Sequence, residues 1–242
     1  MPTPVILVHR AGGVSGDWDE VRALLDERLP GRTVVAPDLP GKGRSGEDHP
    51  GSIEGLAEWV VDRIVEIAEG PAVLAGHSMG GAASIQAALD FPAWVRGLVI
   101  AGSSARMQIA QGMLEAIGDG RMREDREFVA EAFSPSMDPE ARDRFAARMG
   151  RVPLSVLVAD MEASAGLDVR GRLGDLSVPV RIVAGRDDRL VPVFNCMRLR
   201  DAIPGAGIKV VRDAGHMLPW EATEALASEI DAMVRRVEGG DA

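Results

Sequence analysis

The chain reads Ala72-Val73-Leu74-Ala75-Gly76-His77-Ser78-Met79-Gly80-Gly81 at the point that decides its fold. The four apolar residues that open this stretch predict a buried strand, and the small residues at 82–89 predict a helix. Between them lies a Gly-x-Ser-x-Gly pattern, which is typical of a sharp turn that exposes a serine. Side chains at Gly76 and Gly80 would crowd the neighbouring backbone in such a turn. The sequence therefore predicts a strand, a tight turn with Ser78 pointing outward, and a helix.

The start of that helix favours negative charge beside Ser78. A helix N-terminus carries a positive dipole end and unpaired N–H groups, so the N–H of Met79 is a candidate donor to an oxyanion. A Gly-x-Ser-x-Gly match also arises by chance, and a tight turn without chemistry is the alternative. The rest of the chain must supply a base and an acid before the turn indicates a reactive serine.

Outward from this stretch, short β-branched runs alternate with longer runs of helical period. This alternation predicts an α/β fold with a mostly parallel central sheet flanked by helices. Apolar residues also recur at helical spacing after Ser15 and Asp17, either of which is a candidate N-cap. The predicted strands are 5–9, 33–37, 72–76, 98–101, 180–184 and 209–212. Amphipathic helical stretches are predicted at 53–68, 193–203 and 221–237, and at 80–89, which includes the helix after Ser78.

The alternation stops between residues 104 and 175. This segment holds apolar residues that suggest several helices and no strand, among them Phe128, Val129, Phe133, Phe145 and Leu157. After residue 175, predicted strands and helices alternate again. We interpret 1–103 and 176–242 as one α/β core, and 104–175 as a helical cap insertion over one end of the sheet.

Of the four histidines, His216 is placed best to act as a base. It follows the last predicted strand in a loop that contains Gly215, at the carboxyl end where active sites of open α/β sheets gather. A neutral imidazole can take a hydroxyl proton and later return it. His9 and His77 adjoin rigid elements, so we assign them structural or packing roles.

An acid that orients the base is expected after another strand. The predicted strand at 180–184 leads into Gly185-Arg186-Asp187-Asp188. Spacing alone does not separate Asp187 from Asp188. The order Ser, Asp, His along the chain is the one that the Gly-x-Ser-x-Gly pattern leads us to expect.

With these elements in place, the sequence resembles the α/β-hydrolase superfamily over nearly its whole length, especially small esterase-like serine hydrolases with a helical cap. Besides the serine motif, the resemblance rests on Asp38-Leu39-Pro40-Gly41-Lys42-Gly43-Arg44-Ser45, on the aspartates after Gly185 and on Ala214-Gly215-His216. The resemblance implies that Asp188 is the acid and that the N–H of Ala11 is the second oxyanion donor beside Met79.

Arg10 departs from the family pattern, because a glycine usually follows the histidine at the end of the first strand. One hypothesis is that Arg10 shifts the N–H of Ala11 and weakens the oxyanion hole. A second is that its guanidinium binds a carboxylate or enolate of the substrate. A third is an ion pair with a nearby acid, which is a structural role.

The resemblance implies a carboxylesterase-like enzyme that cleaves an ester or lactone of a small to medium apolar substrate through an acyl-serine. The alternatives are hydrolysis of a carbon–carbon bond, cofactor-free haloperoxidase-like chemistry, and a non-catalytic binding module on the same scaffold. The flexible methionines and the absence of tyrosine favour an apolar pocket. Candidate substrate-binding residues are Arg10, Trp18, Met107, Met161, Met217 and Trp220.

The composition limits the partners. Asp and Glu number 37 against 27 Lys and Arg, and the resulting net charge of −10 disfavours nucleic acid and anionic membranes. No cofactor and no metal are expected, because the sequence shows no metal-ligand spacing and no phosphate-binding loop. The lone Cys196 is expected to be a small buried apolar residue. The start of the chain shows no signal-peptide pattern, so a cytoplasmic location is expected. Monomer and homodimer both stay open.

Overall fold

The structure is a computed structural model that describes residues 2–67, 70–107, 109, 111–118, 130–149 and 152–239. Its centre is a six-stranded sheet in the order β2-β1-β3-β4-β5-β6, and every neighbouring pair is parallel. Each of the six predicted strands is present, with shifted ends. The strands are β1 (Val5–Val8), β2 (Val34–Val35), β3 (Ala72–His77), β4 (Val95–Ala101), β5 (Val180–Gly185) and β6 (Gly207–Val211).

Helices cover both faces of this sheet, as a parallel sheet requires. In the core they are α1 (Asp19–Arg28), α2 (Ile53–Ile67), α3 (Met79–Asp90), α7 (Val193–Ala202), α8 (Leu218–Glu221) and α9 (Thr223–Val237). The helix predicted at 221–237 begins at Thr223, and the short helix α8 precedes it, separated from it by Ala222. The predicted fold class is confirmed.

Two buried layers follow from the alternation of side chains along the strands. Ile6 and Val8 of β1 point into a front layer beneath α2, α3 and α7. Val5 and Leu7 point into a back layer beneath α1 and α9. Cys196 is fully buried in the front layer as predicted, and burial raises the pKa of its thiol to about 12.

The start of α1 differs from the prediction. A 3-10 helix at Ser15–Trp18 precedes α1, and neither Ser15 nor Asp17 caps a helix with its side chain. Asp17 instead lies buried beside the guanidinium of Arg10. Trp18 has no exposed surface and packs in the back layer, so the expectation that it faces a substrate pocket is wrong.

The segment at 104–175, called the cap segment below, contains helices and a single isolated β-bridge within its described residues. Its helix α6 (Leu154–Gly166) packs on α4 (Gln111–Gly118) and contacts α2 and α3 of the core. Phe128 and Val129 lie outside the described residues. The cap helices are α4 (Gln111–Gly118), α5 (Pro139–Met149), α6 (Leu154–Gly166) and a 3-10 helix at Arg170–Asp175. No helix in the described ranges has both the length and the apolar character that a membrane span needs.

Candidate active site

Ser78 lies on a strained turn between β3 and α3. Its φ of 54° is in the left-handed region that non-glycine residues rarely adopt. The two flanking glycines make this turn possible. A Cβ at Gly76 would lie 2.2 Å from the carbonyl oxygen of Gly80, and a Cβ at Gly80 would lie 2.2 Å from that of Val8. The turn is therefore pressed against the end of β1.

Three side chains from separate parts of the chain meet at this turn. The Nε2 of His216 is 3.0 Å from the Oγ of Ser78, and its Nδ1 is 2.8 Å from the Oδ2 of Asp188. Asp188 is held in turn, because its Oδ1 accepts the N–H groups of Leu190 and Val191 at 2.9 and 2.8 Å. All three side chains are buried. With Nδ1–H donated to Asp188, the free Nε2 can accept the serine proton.

Asp187 has a different neighbour. Its Oδ2 accepts the hydroxyl of Ser134 in the cap segment at 2.8 Å. The geometry thus separates the two aspartates that spacing alone had left equivalent, since only Asp188 contacts His216 in the described structure.

The loop that carries His216 is braced from several directions. The N–H of His216 donates to the carbonyl of Ala132 in the cap segment at 2.8 Å. The carboxylate of Glu221 accepts the N–H groups of Ser134 and Met217 at 2.6 and 3.0 Å. Burial raises the pKa of Glu221, against the lowering effect of these N–H groups. The His216 loop is therefore held by both the core and the cap segment.

His77 braces the same loop from below. Its Nε2–H donates to the carbonyl of His216 at 2.7 Å, and the two rings lie 5.0 Å apart. Burial, followed by the nearby His216 and Arg10, holds the pKa of His77 well below its usual range. His77 is thus a neutral structural donor, in the kind of role that the sequence indicated.

The proposed oxyanion donors, the N–H groups of Ala11 and Met79, have no acceptor among the described residues. Met79 is the first residue of α3, so its N–H is one of the four that a helix leaves unpaired. Ala11 follows β1 in a tight turn, and Gly80 contacts the end of that strand. Two unpaired donors thus occur on the two chain segments that meet beside Ser78.

Arg10 is buried, and two of its guanidinium nitrogens lie beside protein oxygens. Its Nη1 donates to the carbonyl of Ala11 at 2.8 Å, and its Nε lies 3.3 Å from the Oδ2 of Asp17. The guanidinium carbon is 4.4 Å from the centre of the Phe145 ring in α5. Of the three hypotheses for Arg10, the ion pair with a nearby acid is the one that matches these contacts.

The remaining candidate substrate-binding residues lie in different apolar clusters. Met217 and Trp220 share an apolar cluster with Phe133 and Phe145, directly after His216. Met161 packs with Leu157 in a second cap cluster. Met107 is 9% exposed and belongs to the front layer.

Two buried charges near the site were missed by sequence reasoning. Asp160 of α6 and Lys42 have no exposed surface, and the Lys42 Nζ is 2.7 Å from the Asp160 Oδ1. The available signal is the sequence of α6, where Asp160 interrupts the apolar run at 156–161. A carboxylate in such a run indicates a buried charge that needs a partner. Within the described residues, no three His, Cys, Asp or Glu side chains cluster as metal ligands.

A serine, a histidine and an aspartate that meet at the carboxyl edge of a parallel, helix-flanked sheet define the class of α/β hydrolases. The profile of the Alpha/beta hydrolase family matches residues 5–229, and the chain belongs to this family. A 2-hydroxy-6-oxo-2,4-heptadienoate hydrolase from Pseudomonas putida is 31% identical over 238 residues, with 90% of this chain and 84% of that protein covered.

Solved structures show the same architecture. A thermophilic esterase from Thermogutta terrifontis superposes with a TM-score of 0.85 at 25% identity, over 98% of this chain and 91% of the esterase. An enol-lactonase from Burkholderia xenovorans superposes with a TM-score of 0.87 at 18% identity, over 97% and 92% of the two chains. The lactonase is similar in fold alone.

Proposed function

We propose that the chain is a serine hydrolase that cleaves a carboxylic ester or lactone of a small to medium apolar compound through an acyl-Ser78 intermediate. The observation that carries the proposal is the continuous line of contacts from Ser78 through His216 to Asp188, at 3.0 and 2.8 Å. These are hydrogen-bonding distances without any movement of the chain. A serine in such a contact is an activated nucleophile.

The first step forms the acyl-enzyme. The Ser78 Oγ attacks the carbonyl carbon while the Nε2 of His216 takes the hydroxyl proton, and Asp188 stabilises the imidazolium. The tetrahedral intermediate collapses when the bond to the leaving oxygen breaks, and His216 returns the proton to that oxygen. Water then attacks the acyl group with His216 as base, which releases the acid and restores Ser78.

The N–H groups of Met79 and Ala11 stabilise the negative oxygen in both steps. Their lack of a protein acceptor supports this role, since preformed donors need no rearrangement during the reaction. Removal of one such donor in other hydrolases costs about 2.7–4 kcal/mol of transition-state stabilisation. Each donor is therefore worth about 100-fold or more in rate.

The reactive serine is tested by labelling with a fluorophosphonate. We expect the wild type to label rapidly and to hydrolyse p-nitrophenyl esters, and Ser78→Ala to do neither. Asp188→Asn is expected to lose about 10⁴-fold in kcat, because the amide no longer holds the ring in the required tautomer. Labelling of Ser78→Ala at the wild-type rate would exclude Ser78 as the nucleophile, and a wild type that does not label would indicate a binding module.

Hydrolysis of a carbon–carbon bond is the second candidate. The relative that is 31% identical supports it, because that protein is named for a 2-hydroxy-6-oxo-dienoate substrate. A dienoate of this type and a p-nitrophenyl ester should be compared by kcat/KM on the same preparation. A higher kcat/KM for the ester is the result that we expect, and a ratio in favour of the dienoate would replace ester hydrolysis with carbon–carbon cleavage.

A further inference from the structure

We propose that Asp160, on helix α6 of the cap segment, is a positioning residue that orients the oxyanion turn, defined here as Arg10–Gly13. This inference rests on the proposed function, because it concerns the Ala11 N–H as an oxyanion donor. It assigns to the cap segment a part in the chemistry besides substrate selection. The evidence for it is the set of contacts that the buried carboxylate of Asp160 makes.

The oxyanion turn has a conformation that needs external support. The N–H of Gly13 donates to the carbonyl of Arg10 at 3.1 Å, which closes a four-residue β-turn. Gly12 has a φ of 61°, and Ala11 is not among the residues with positive φ. A positive φ at the third position alone is that of a type II turn. Type I and type II turns differ by a flip of the central peptide, here the Ala11–Gly12 peptide.

That central peptide is held at both of its polar ends. The Oδ2 of Asp160 accepts the N–H of Gly12 at 2.8 Å, from a position 148 residues further along the chain. On the other side, the Nη1 of Arg10 donates to the carbonyl of Ala11 at 2.8 Å. A flip of the peptide would break both hydrogen bonds. The Ala11 N–H belongs to the adjoining peptide of the same turn, so loss of these two bonds would release the turn that fixes the direction of this N–H.

Asp160 itself is fixed by two further donors from the core. Its Oδ1 is 2.7 Å from the Nζ of Lys42 and 3.0 Å from the Nε2 of His49. The Nδ1 of His49 accepts the N–H of Gly51 at 2.9 Å, so the Nε2 carries the proton that is donated to Asp160. The carboxylate therefore joins α6, the loop after β2 and the oxyanion turn at a single buried point.

The charge on Asp160 is retained in the folded protein. Burial alone raises the pKa of this carboxyl, but the hydrogen bond from His49 and the charge of Lys42 outweigh it and leave the pKa below its usual value. A buried ion pair is weak evidence for stability, since apolar side chains of similar volume are often as stable or more so. A role in orienting the Gly12 N–H explains why the Lys42–Asp160 ion pair is present although it adds little stability.

An amide cannot replace this carboxylate. Both oxygens of Asp160 act as acceptors, one for Gly12 and the other for Lys42 and His49. The NH₂ group of Asn would face an N–H donor in either orientation. Asp160→Asn is therefore a small change in shape with a large effect on the turn.

The experiment compares Asp160→Asn with Ser164→Ala. Ser164 lies one turn further along α6, is buried, and donates its hydroxyl to the carbonyl of Asp160 without contacting the oxyanion turn. We would measure kcat and KM for a p-nitrophenyl ester per titrated active site, and the inhibition constant of an alkyl boronic acid. The boronate forms a tetrahedral adduct with serine and places an oxygen in the oxyanion hole.

For Asp160→Asn we expect kcat to fall by roughly 10- to 100-fold, because one oxyanion donor is misplaced but not removed. The boronate inhibition constant should rise by a similar factor, and KM should stay within about twofold because ground-state binding is unchanged. Ser164→Ala should keep the wild-type values. A double variant that combines Lys42→Met with Asp160→Leu removes both charges of this buried ion pair. It should fold and show the same loss of kcat.

A purely structural role for Asp160 predicts a different result. The fraction of titratable sites would then fall, while kcat per site and the boronate inhibition constant would keep their wild-type values, and that result would overturn the inference. A wild type that neither hydrolyses the ester nor binds the boronate would overturn the proposed function, and the inference with it.

Discussion

His9 shows how one buried side chain can fix the backbone beside the proposed site. Its Nδ1–H donates to the carbonyl of Arg10 at 2.9 Å, and its Nε2 accepts the N–H of Leu39 at 3.0 Å. Burial, and then the charge of Lys42, lowers the pKa of His9 to about 4. A second proton on the ring would point at the Leu39 N–H, so the fold requires the neutral imidazole.

This requirement predicts a loss of stability in acid. The unfolded chain protonates His9 near pH 6.5 and the folded chain only near pH 4, so between these values the unfolded state binds more protons. The free energy of unfolding should therefore fall as the pH falls, and His9 should account for about 2 kcal/mol between pH 7 and pH 5. Urea unfolding at the two pH values measures this difference.

His9→Asn is the comparison, because its side-chain amide donates near the position of Nδ1 and does not titrate. Its free energy of unfolding should depend less steeply on pH than that of the wild type. The carboxylates and the other histidines contribute equally in both proteins. Identical losses of stability in the two proteins would show that His9 does not carry the effect.

At the scale of elements, the strand, turn and helix around Ser78 form a unit set by contact between backbones. Gly76 lies against Gly80, and Gly80 lies against the carbonyl groups of Val8 and His9. A side chain can rotate away from a close contact, whereas a carbonyl in a sheet or helix cannot. The close contact between these backbones therefore explains why the sequence has glycine at both positions.

Gly76→Ala and Gly80→Ala should accordingly destabilise the protein by about 3 kcal/mol or more, since overpacking against rigid neighbours lies at the upper end of such effects. Gly171→Ala is the matched control, because a Cβ there meets nothing within 4 Å and its φ is not positive. Its free energy of unfolding should stay within about 0.5 kcal/mol of the wild type. Chemical unfolding of the three variants checks the order, and equal effects at all three positions would contradict it.

The elements and the contacts between them were not equally predictable from the sequence. Strands such as β3 and β5 follow from apolar runs bounded by glycine or proline, and the serine turn follows from its own residues. The Asp160 contact with Gly12 could not be read in this way, because it depends on how α6 lies on the core. The start of α1 was mispredicted for a similar reason, since Asp17 is buried beside Arg10 instead of capping the helix.

At the scale of the whole molecule, the cap segment reaches both sides of the proposed site. On one side, the carbonyl of Ala132 accepts the N–H of His216, and the N–H of Ser134 donates to Glu221, which also accepts the N–H of Met217. On the other, Asp160 bonds to the oxyanion turn. The proposed base and one proposed oxyanion donor are thus positioned partly by a segment that the sheet itself does not need. A change in how the cap segment packs should therefore alter the rate as well as the choice of substrate.

The choice of substrate is expected to depend on the apolar cluster where the cap segment meets the His216 loop. Met217 is 4% exposed and packs there with Phe133 and Phe145. Each methylene buried in an apolar pocket contributes about 0.8 kcal/mol, or about fourfold in kcat/KM, until the pocket is full. Met217→Ala should enlarge the pocket and move the highest kcat/KM toward longer acyl chains in a series of p-nitrophenyl esters.

Met197→Ala is the control for this series, because Met197 lies on the outer side of α7 and is 41% exposed. It should keep the wild-type order of acyl chains. If Met217 only packs the core, Met217→Ala should instead lose about 2–5 kcal/mol of stability and leave the order unchanged. A shift in the preferred acyl length, with the wild-type order kept by Met197→Ala, would therefore place Met217 against the bound acyl group.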